Sequence, residues 1–542
     1  MKIILFLFLF LNITQFFSQK KKDSKLLVGI VIDQMCYDYL YRYKGNFCKT
    51  GFNRFLNEGA NMRTTLYNFV PTYTGPGHAS IYTGSNPSDH GIVGNEWYDR
   101  NSLSIVNCVA DNSESTIGSS SSEGQKSPRN LKTYTITDQL KMTYPSARVI
   151  SISYKDRSAI LPGGHLSDGT YWFDYQTGTF ITSSFFKKEL PRWVQDFNAK
   201  NNARSYTKNW DLLLSKEHYT SSDQSPYELV IGGKKSAEFP YNFLEMVEAS
   251  SSNQLFTISP FANTLLTDFA LESLKNENLG NDQQADMLCI SYSTPDIAGH
   301  AFGPYSLELE DMYLRLDLEI SRLLNALTAK CGKDGFTVFL TADHAVVPVP
   351  QMLIDKKLPG GYLFINQKLI DLGAKCTTKF GENLIEKEEN QNIYLNKTKI
   401  KNLNLEIDLV ADFIADELRT WSEVKAVFTS EQLLSGTSGT IWRNMVQNGY
   451  DYERSGEIIF ILQPGFLQKS TDIPSAHQGT SHGSSFAYDT HVPLLWYGKN
   501  IPKGDIFTPY EIIDIAPTLS HLLNLQRSGA MTGKPILELL RK

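Results

Sequence analysis

The chain has 542 residues, a formal net charge of −6 and a hydrophobic fraction of 41%, with 12% aromatic residues. This length exceeds one small domain, and the acidic balance (pI about 6.0) argues against a nucleic-acid partner held by bulk electrostatics. The six cysteines (Cys36, Cys48, Cys108, Cys289, Cys331 and Cys376) contain no C-x-x-C pair, which argues against a thiolate zinc site.

Residues 1–18 join Lys2, an apolar run from Ile3 to Leu11, and Phe16-Phe17-Ser18 ahead of Gln19. They read as a secretory signal peptide cleaved near Ser18, and the run is too short to span a bilayer. A periplasmic or secreted mature protein without a stable membrane anchor is expected. The apolar run Lys25–Ile32 then predicts a strand buried on both faces, of the kind found in parallel sheets covered by helices. Residues just past the carboxyl ends of such strands carry chemistry, which makes Asp33 a ligand or catalytic candidate. Tyr37 to Asn57 predicts mostly helix.

The stretch Val70-Pro71-Thr72-Tyr73-Thr74-Gly75-Pro76-Gly77-His78 passes from turn residues through a hydroxyl into a helix start. Gly75 and Gly77 allow close backbone approach, and Pro76 suits a first helical turn. A hydroxyl at that point faces unpaired N–H groups and the positive end of the helix dipole, so Thr74 is well placed to meet a phosphate or sulfate. An ordinary capping Thr is the competing reading. Asn95, after Gly94, is either a turn residue or an amide donor to an oxyanion.

Residues 111–127 read as loop, Thr133–Tyr144 as helix and Arg148–Ser153 as another buried strand. Lys155 and Arg157 follow its carboxyl end and could clamp a phosphoryl group. From Tyr171 to Gln254 no clear strand–helix alternation is visible, and this segment is expected to be an insertion. A helix at Thr264–Leu274 and a strand at Met287–Tyr292 resume the core, followed by Asp296 and His300 four residues apart. A helix at Leu307–Cys331 and a strand at Phe336–Thr341 lead to Asp343-His344. Residues 351–471 read as a second inserted lobe. His477 and His482 lie in a glycine-bounded loop before the strand His491–Tyr497 and a helix from about Pro517 to Leu525. The expected organisation is a core in three parts (24–170, 255–350 and 472–542) interrupted by 171–254 and 351–471.

Three separate strands thus end in Asp33, Asp296/His300 and Asp343/His344, and a later loop adds His482. Each alone has a bland reading as a cap or a hydrogen-bonded core residue. Together, carboxylates and imidazoles without thiolates suit two Zn²⁺ ions with open positions. Two such ions can hold the attacking and leaving oxygens of an in-line displacement and lower the pKa of a hydroxyl such as that of Thr74.

With these motifs in view the sequence resembles the alkaline phosphatase superfamily, most closely its PafA-type branch with a single threonine nucleophile. The likeness runs from Val31-Ile32-Asp33 to the His482 loop and the C-terminal helix. It implies an α/β fold, an alkaline-phosphatase-like three-layer sandwich with a large, mainly parallel central sheet and inserted lobes. It implies one zinc on Asp33, Thr74, Asp343 and His344 and a second on Asp296, His300 and His482, with Thr74 as nucleophile. Asn95, Lys155 and Arg157 would bind phosphoryl oxygens, the Lys-Asp-Arg pattern marking the monoesterase branch. The chain departs from the family in having Ala345-Val346-Val347 where a Gly usually follows the Asp-His pair. His477 competes with His482, which the following Gly483 and Tyr488-Asp489-Thr490-His491-Val492-Pro493 favour; His78, His90 and His491 are read as structural or supporting.

The resulting expectation is a monomeric phosphomonoesterase of broad range. A nucleotide pyrophosphatase/phosphodiesterase shares the zinc ligands, Thr and Asn but lacks the Lys/Arg clamp. No Cys/Ser-x-Pro-x-Arg stretch supports a sulfatase, and a phosphomutase would use Ser with manganese in the cytoplasm. A non-catalytic binding protein on a decayed fold should have lost ligands, and none is missing.

Overall fold

The computed structural model describes residues 24–435 and 439–540; the expected leader lies outside them. An 11-stranded mixed sheet forms the centre. Its middle strand, Leu26–Ile32, pairs in parallel with Phe336–Thr341 on one side and Asp286–Tyr292 on the other. Val149–Ser153 continues the parallel run beside Asp286–Tyr292. On the opposite flank His491–Gly498 runs antiparallel to Phe336–Thr341 and in turn pairs antiparallel with Ala60–Leu66.

Every residue of these four parallel strands is buried, because helices cover both faces. One group of helices includes Thr74–Thr83, Ile136–Thr143, Asp156–Gly163 and Ile515–Leu522, which pack on one another. The other includes Pro260–Asn276, Thr294–Phe302 and Leu307–Cys331. This is the α/β architecture that the sequence predicts. Register aligns the strand ends: Val31 lies opposite Thr341, Ile32 opposite Tyr292, and Ser153 opposite Ser291. The residues that follow are therefore delivered to one edge of the sheet.

Two expectations need correction. The insertion expected to start at residue 171 begins inside a strand, since Gly169–Asp174 pairs in parallel with Val149–Ser153 and Thr179–Ser183 extends the sheet antiparallel to it. Tyr171-Trp172-Phe173 is buried on both faces, so its aromatic run is a core strand and not decoration. The segment Tyr37–Asn57 is not mostly helical but holds two short helices, Tyr39–Arg42 and Phe52–Glu58. Here a distant carboxylate overrides local propensity: Asp317 accepts from the Cys48 and Phe52 N–H groups, both at 2.6 Å.

In the chain between Phe336–Thr341 and His491–Gly498, a separate four-stranded sheet forms in the order Ile385–Glu389, Asn392–Leu395, Ile458–Leu462, Val424–Thr429. Helices Ile365–Phe380 and Ile407–Arg419 share a hydrophobic core with it, built from residues such as Leu372, Ile393, Ile414 and Phe460.

Candidate active site

Four strand ends supply the charged residues. Asp33 directly follows Leu26–Ile32, Asp343 lies two residues beyond Thr341, and Lys155 two beyond Ser153. Asp296 sits in the first turn of helix Thr294–Phe302, with His300 one turn later on the same face. Thr74 is the first residue of helix Thr74–Thr83, and the capping position belongs to Tyr73, which makes no side-chain cap. The Thr74 hydroxyl is therefore not a cap. Its Oγ1 lies 3.5 Å from both His344 Nε2 and Lys155 Nζ. Gly77 permits this helix to approach so closely: a Cβ there would meet the Asp343 carbonyl at 2.3 Å.

The imidazoles are anchored alike. Nδ1–H donates to a backbone carbonyl in His300 (Thr480 O, 2.9 Å), His344 (Ala345 O, 3.1 Å) and His482 (Thr72 O, 2.7 Å). This arrangement fixes the tautomer and turns each Nε2 inward, as metal-binding histidines require. The inward nitrogens approach carboxylates: His300 Nε2 is 3.2 Å and His482 Nε2 3.6 Å from Asp296 Oδ1, while His344 Nε2 is 3.4 Å from Asp33 Oδ1 and 3.6 Å from Asp343 Oδ2. Two groups of donors, Asp33-Asp343-His344 and Asp296-His344-His482, gather within 4.8 Å. His344 belongs to both, and its ring stacks on that of His482 with centroids 3.4 Å apart.

Burial governs the charge states. It drives the His482 imidazole down to about 3 and, with His482 beside it, holds His344 well below the usual range. Burial also pushes the Asp343 carboxyl up to about 7, and burial with the charges of Asp296 and Asp343 raises Asp33. Asp296, although buried, is held well below the ordinary carboxylate range by His300 and Lys155. Asp33 Oδ1 and Asp343 Oδ2 are buried without a hydrogen-bond partner among the described residues. At His344 and His482 the unprotonated Nε2 lone pairs facing carboxylate oxygens repel unless a cation lies between them, so this nitrogen-and-oxygen donor set fits divalent metal.

A model of the type I phosphodiesterase / nucleotide pyrophosphatase family matches residues 27–485. Alkaline phosphatase PafA of Elizabethkingia meningoseptica is 39% identical over 522 residues, 95% of this chain and 94% of the relative. The chain belongs to the PafA-type alkaline phosphatases. A crystal structure of wild-type alkaline phosphatase PafA matches with a TM-score of 0.91 at 39% identity, covering 95% of this chain and 99% of that one. Alkaline phosphatase PhoV of Synechococcus elongatus is 38% identical over 529 residues, 97% of this chain and 94% of the relative.

In this PafA-type alkaline phosphatase, Lys155 Nζ donates to Asp33 Oδ2 at 2.7 Å and to Asp296 Oδ2 at 2.5 Å. Asn95 accepts at Oδ1 from the Gly75 N–H (2.7 Å), next to Thr74. Arg157 pairs with Asp156 at 3.4 Å, and its Nε is buried without a partner among the described residues. His477 stands apart, bonded to Asp472 at 2.8 Å and packed edge-on against Tyr362. His90 bonds Ser80 and the Ile92 N–H, and His491 stacks on Tyr37. The Ala345-Val346-Val347 departure leaves Asp343 and His344 in the cluster, with the Ala345 N–H held by the Asp489 carbonyl at 2.8 Å.

Sequence reasoning missed Gln34. Its Nε2 donates to Asp296 Oδ1 at 2.6 Å and its backbone N–H to Asp343 Oδ1 at 3.2 Å, tying two strand ends together. The available signal was its place directly after Asp33. His78 has the structural or supporting place expected of it: its Nδ1 bonds the Thr74 carbonyl (2.9 Å), and Asp343 Oδ2 lies 3.3 Å away without a hydrogen bond. Burial lowers it to about 4, so it is neutral and donates from Nδ1.

Proposed function

We propose that this PafA-type alkaline phosphatase hydrolyses small phosphate monoesters of broad range with two Zn²⁺, through a phospho-threonine on Thr74. One observation carries the reading: the Thr74 hydroxyl stands at a helix start with a half-buried ammonium and an unprotonated imidazole nitrogen each 3.5 Å away. Asp33, Thr74, Asp343 and His344 would hold one zinc, and Asp296, His300 and His482 the other. When bound, such ions lower the pKa of a hydroxyl and take up charge on the attacking and leaving oxygens.

Thr74 Oγ1 attacks phosphorus as the ester P–O bond breaks, and the leaving oxygen takes a proton. Water then attacks the phospho-threonine, and the P–Oγ1 bond breaks to release phosphate and restore the hydroxyl. Catalysis of this kind is mostly positioning and charge stabilisation. Lys155 brings its ammonium beside Thr74 and is available to a non-bridging oxygen. With Oδ1 of Asn95 committed to Gly75, its Nδ2 is the group left to donate. The Nε of Arg157, without a partner among the described residues, is a further donor of the same kind. A monoester dianion carries one more charge than a diester, and the cations Lys155 and Arg157 reward that difference. The family model also covers nucleotide pyrophosphatases and phosphodiesterases, so the comparison of substrates is the decisive test.

The test is kcat/KM on p-nitrophenyl phosphate against bis-p-nitrophenyl phosphate, with and without a chelator. A strong, chelator-sensitive preference for the monoester is expected. A preference for the diester overturns the monoesterase reading, and no activity on either leaves a binding protein. We further infer an exported monomer, testable by the mature N-terminus and the solution mass. Among the described residues no helix is long and apolar enough to cross a membrane.

A further inference from the structure

We propose that Asn390, at the tip of a hairpin in the lobe outside the central sheet, is a positioning residue for Asn95. The inference rests on the reading of Asn95 as a phosphoryl-oxygen donor given above.

Strands Ile385–Glu389 and Asn392–Leu395 pair antiparallel with Glu389 opposite Asn392, leaving Asn390 and Gln391 as a two-residue loop. Their φ angles are 54° and 61°, the pair of left-handed residues that such a tight hairpin turn demands. Asparagine accepts this conformation readily, whereas glutamine seldom does. The lobe holds the tip from behind. Gln391 donates its N–H to Glu388 Oε1 at 2.9 Å and accepts the Phe460 N–H at 3.1 Å. Asn392 Nδ2 donates to the Asn390 carbonyl at 2.9 Å. With its backbone fixed on that side, the Asn390 side chain points across to the core.

There its Nδ2 donates to the Glu96 carbonyl at 2.9 Å, joining positions 294 residues apart. Asn95 precedes Glu96 and is itself held by two hydrogen bonds, while the Asn390 bond holds the next residue. Its own carbonyl accepts the Cys108 N–H at 2.9 Å, and its Oδ1 accepts the Gly75 N–H at 2.7 Å. Those two bonds come from the core, and the bond on the neighbouring Glu96 carbonyl comes from the lobe. Gly94 leaves no slack on the far side: a Cβ there would sit 2.7 Å from the Glu96 carbonyl and 3.2 Å from Asn390 Nδ2. The lobe also holds the hairpin that follows Asn95. Arg100 donates to Glu457 Oε1 and the Ser455 carbonyl, both at 2.7 Å, and Tyr98 packs on Tyr394 with ring centroids 5.3 Å apart. The Asn390 bond falls on the residue next to Asn95, and its effect runs through Asn95.

The test is a double-mutant cycle on kcat/KM for p-nitrophenyl phosphate in the zinc-loaded protein. Asn390→Gly keeps the left-handed turn without the amide, and Asn390→Asp keeps the shape without the donor. Each is expected to lower kcat/KM about five- to tenfold, the scale of one lost hydrogen bond. In an Asn95→Ala background the same substitutions are expected to change it less than about twofold, because the route they act through is gone. Undiminished losses in that background would make Asn390 a general structural contact and overturn the proposal, as would no loss in the unmutated protein. Asn95→Ala alone reports on the underlying reading. If it is inert, both readings fail; if it is costly while the cycle is additive, only the positioning role fails.

Discussion

Replacing Lys155 by Ala tests the monoester clamp most directly. The ammonium is half-buried, 3.5 Å from Thr74 Oγ1 and bonded to Asp33 and Asp296. A phosphoryl group arriving on Thr74 brings its non-bridging oxygens within about 4 Å of that charge. At an effective dielectric of about 20, one unit-charge interaction at this distance is worth about 4 kcal/mol. The monoester carries one more negative charge than the diester, so the full difference corresponds to about 10³ in relative rate. Water entering the space left by the side chain screens part of it, and a shift of about 10²-fold is the expected result. The assay is kcat/KM for p-nitrophenyl phosphate and bis-p-nitrophenyl phosphate, before and after the substitution, at matched zinc content. Diester turnover should fall far less than monoester turnover. Equal losses on the two substrates would refute the reasoning, because a cation that does not sense the extra charge is not a clamp.

Thr74→Ala should lower phosphomonoesterase kcat by at least about 10³-fold, the scale of losing a nucleophile, and abolish 32P trapping on the protein in an acid quench. His482→Ala and Asp296→Ala should each reduce bound zinc from about two ions toward one, read by elemental analysis after dialysis; full loading would move the ligand assignment elsewhere. Away from the site, burial and the charge of Glu308 raise the Glu228 carboxyl to about 9. Folding thus takes up a proton, and this contribution to stability is lost as pH rises from the ordinary carboxylate range toward 9, by up to about 1.4 kcal/mol per pH unit. Glu228→Gln should flatten that fall in urea midpoints between about pH 7 and 9, and an unchanged slope would place the proton uptake elsewhere.

Much of the site was legible because it is built from strand ends. An apolar run closed by Asp33, Asp343 or Lys155 is a local pattern, and the parallel register that aligns those ends follows from the sheet itself. The glycine-bounded loop offered both His477 and His482, and the resemblance to the family in the residues that follow favoured His482. What escaped was set by long-range contact. Nothing near Gln34 announces bonds to Asp296 and Asp343, and nothing near Asn390 announces one to Glu96. The Gly169–Asp174 strand was missed because its aromatic residues resemble those of the polar segment that follows. Only pairing with Val149–Ser153 makes it part of the sheet.

The position of Leu26–Ile32 at the middle of the sheet has a consequence for the order of assembly. A ribosome releases this strand first, yet its two neighbours begin at Asp286 and Phe336. The histidine at 482 and the flanking strand His491–Gly498 arrive later still. Loop closure over such separations is slow, so a nascent chain carries Asp33 for most of its synthesis without the strands that bring Asp343 and Asp296 beside it. On the ligand assignment proposed above, metal capture would belong to the finished polypeptide.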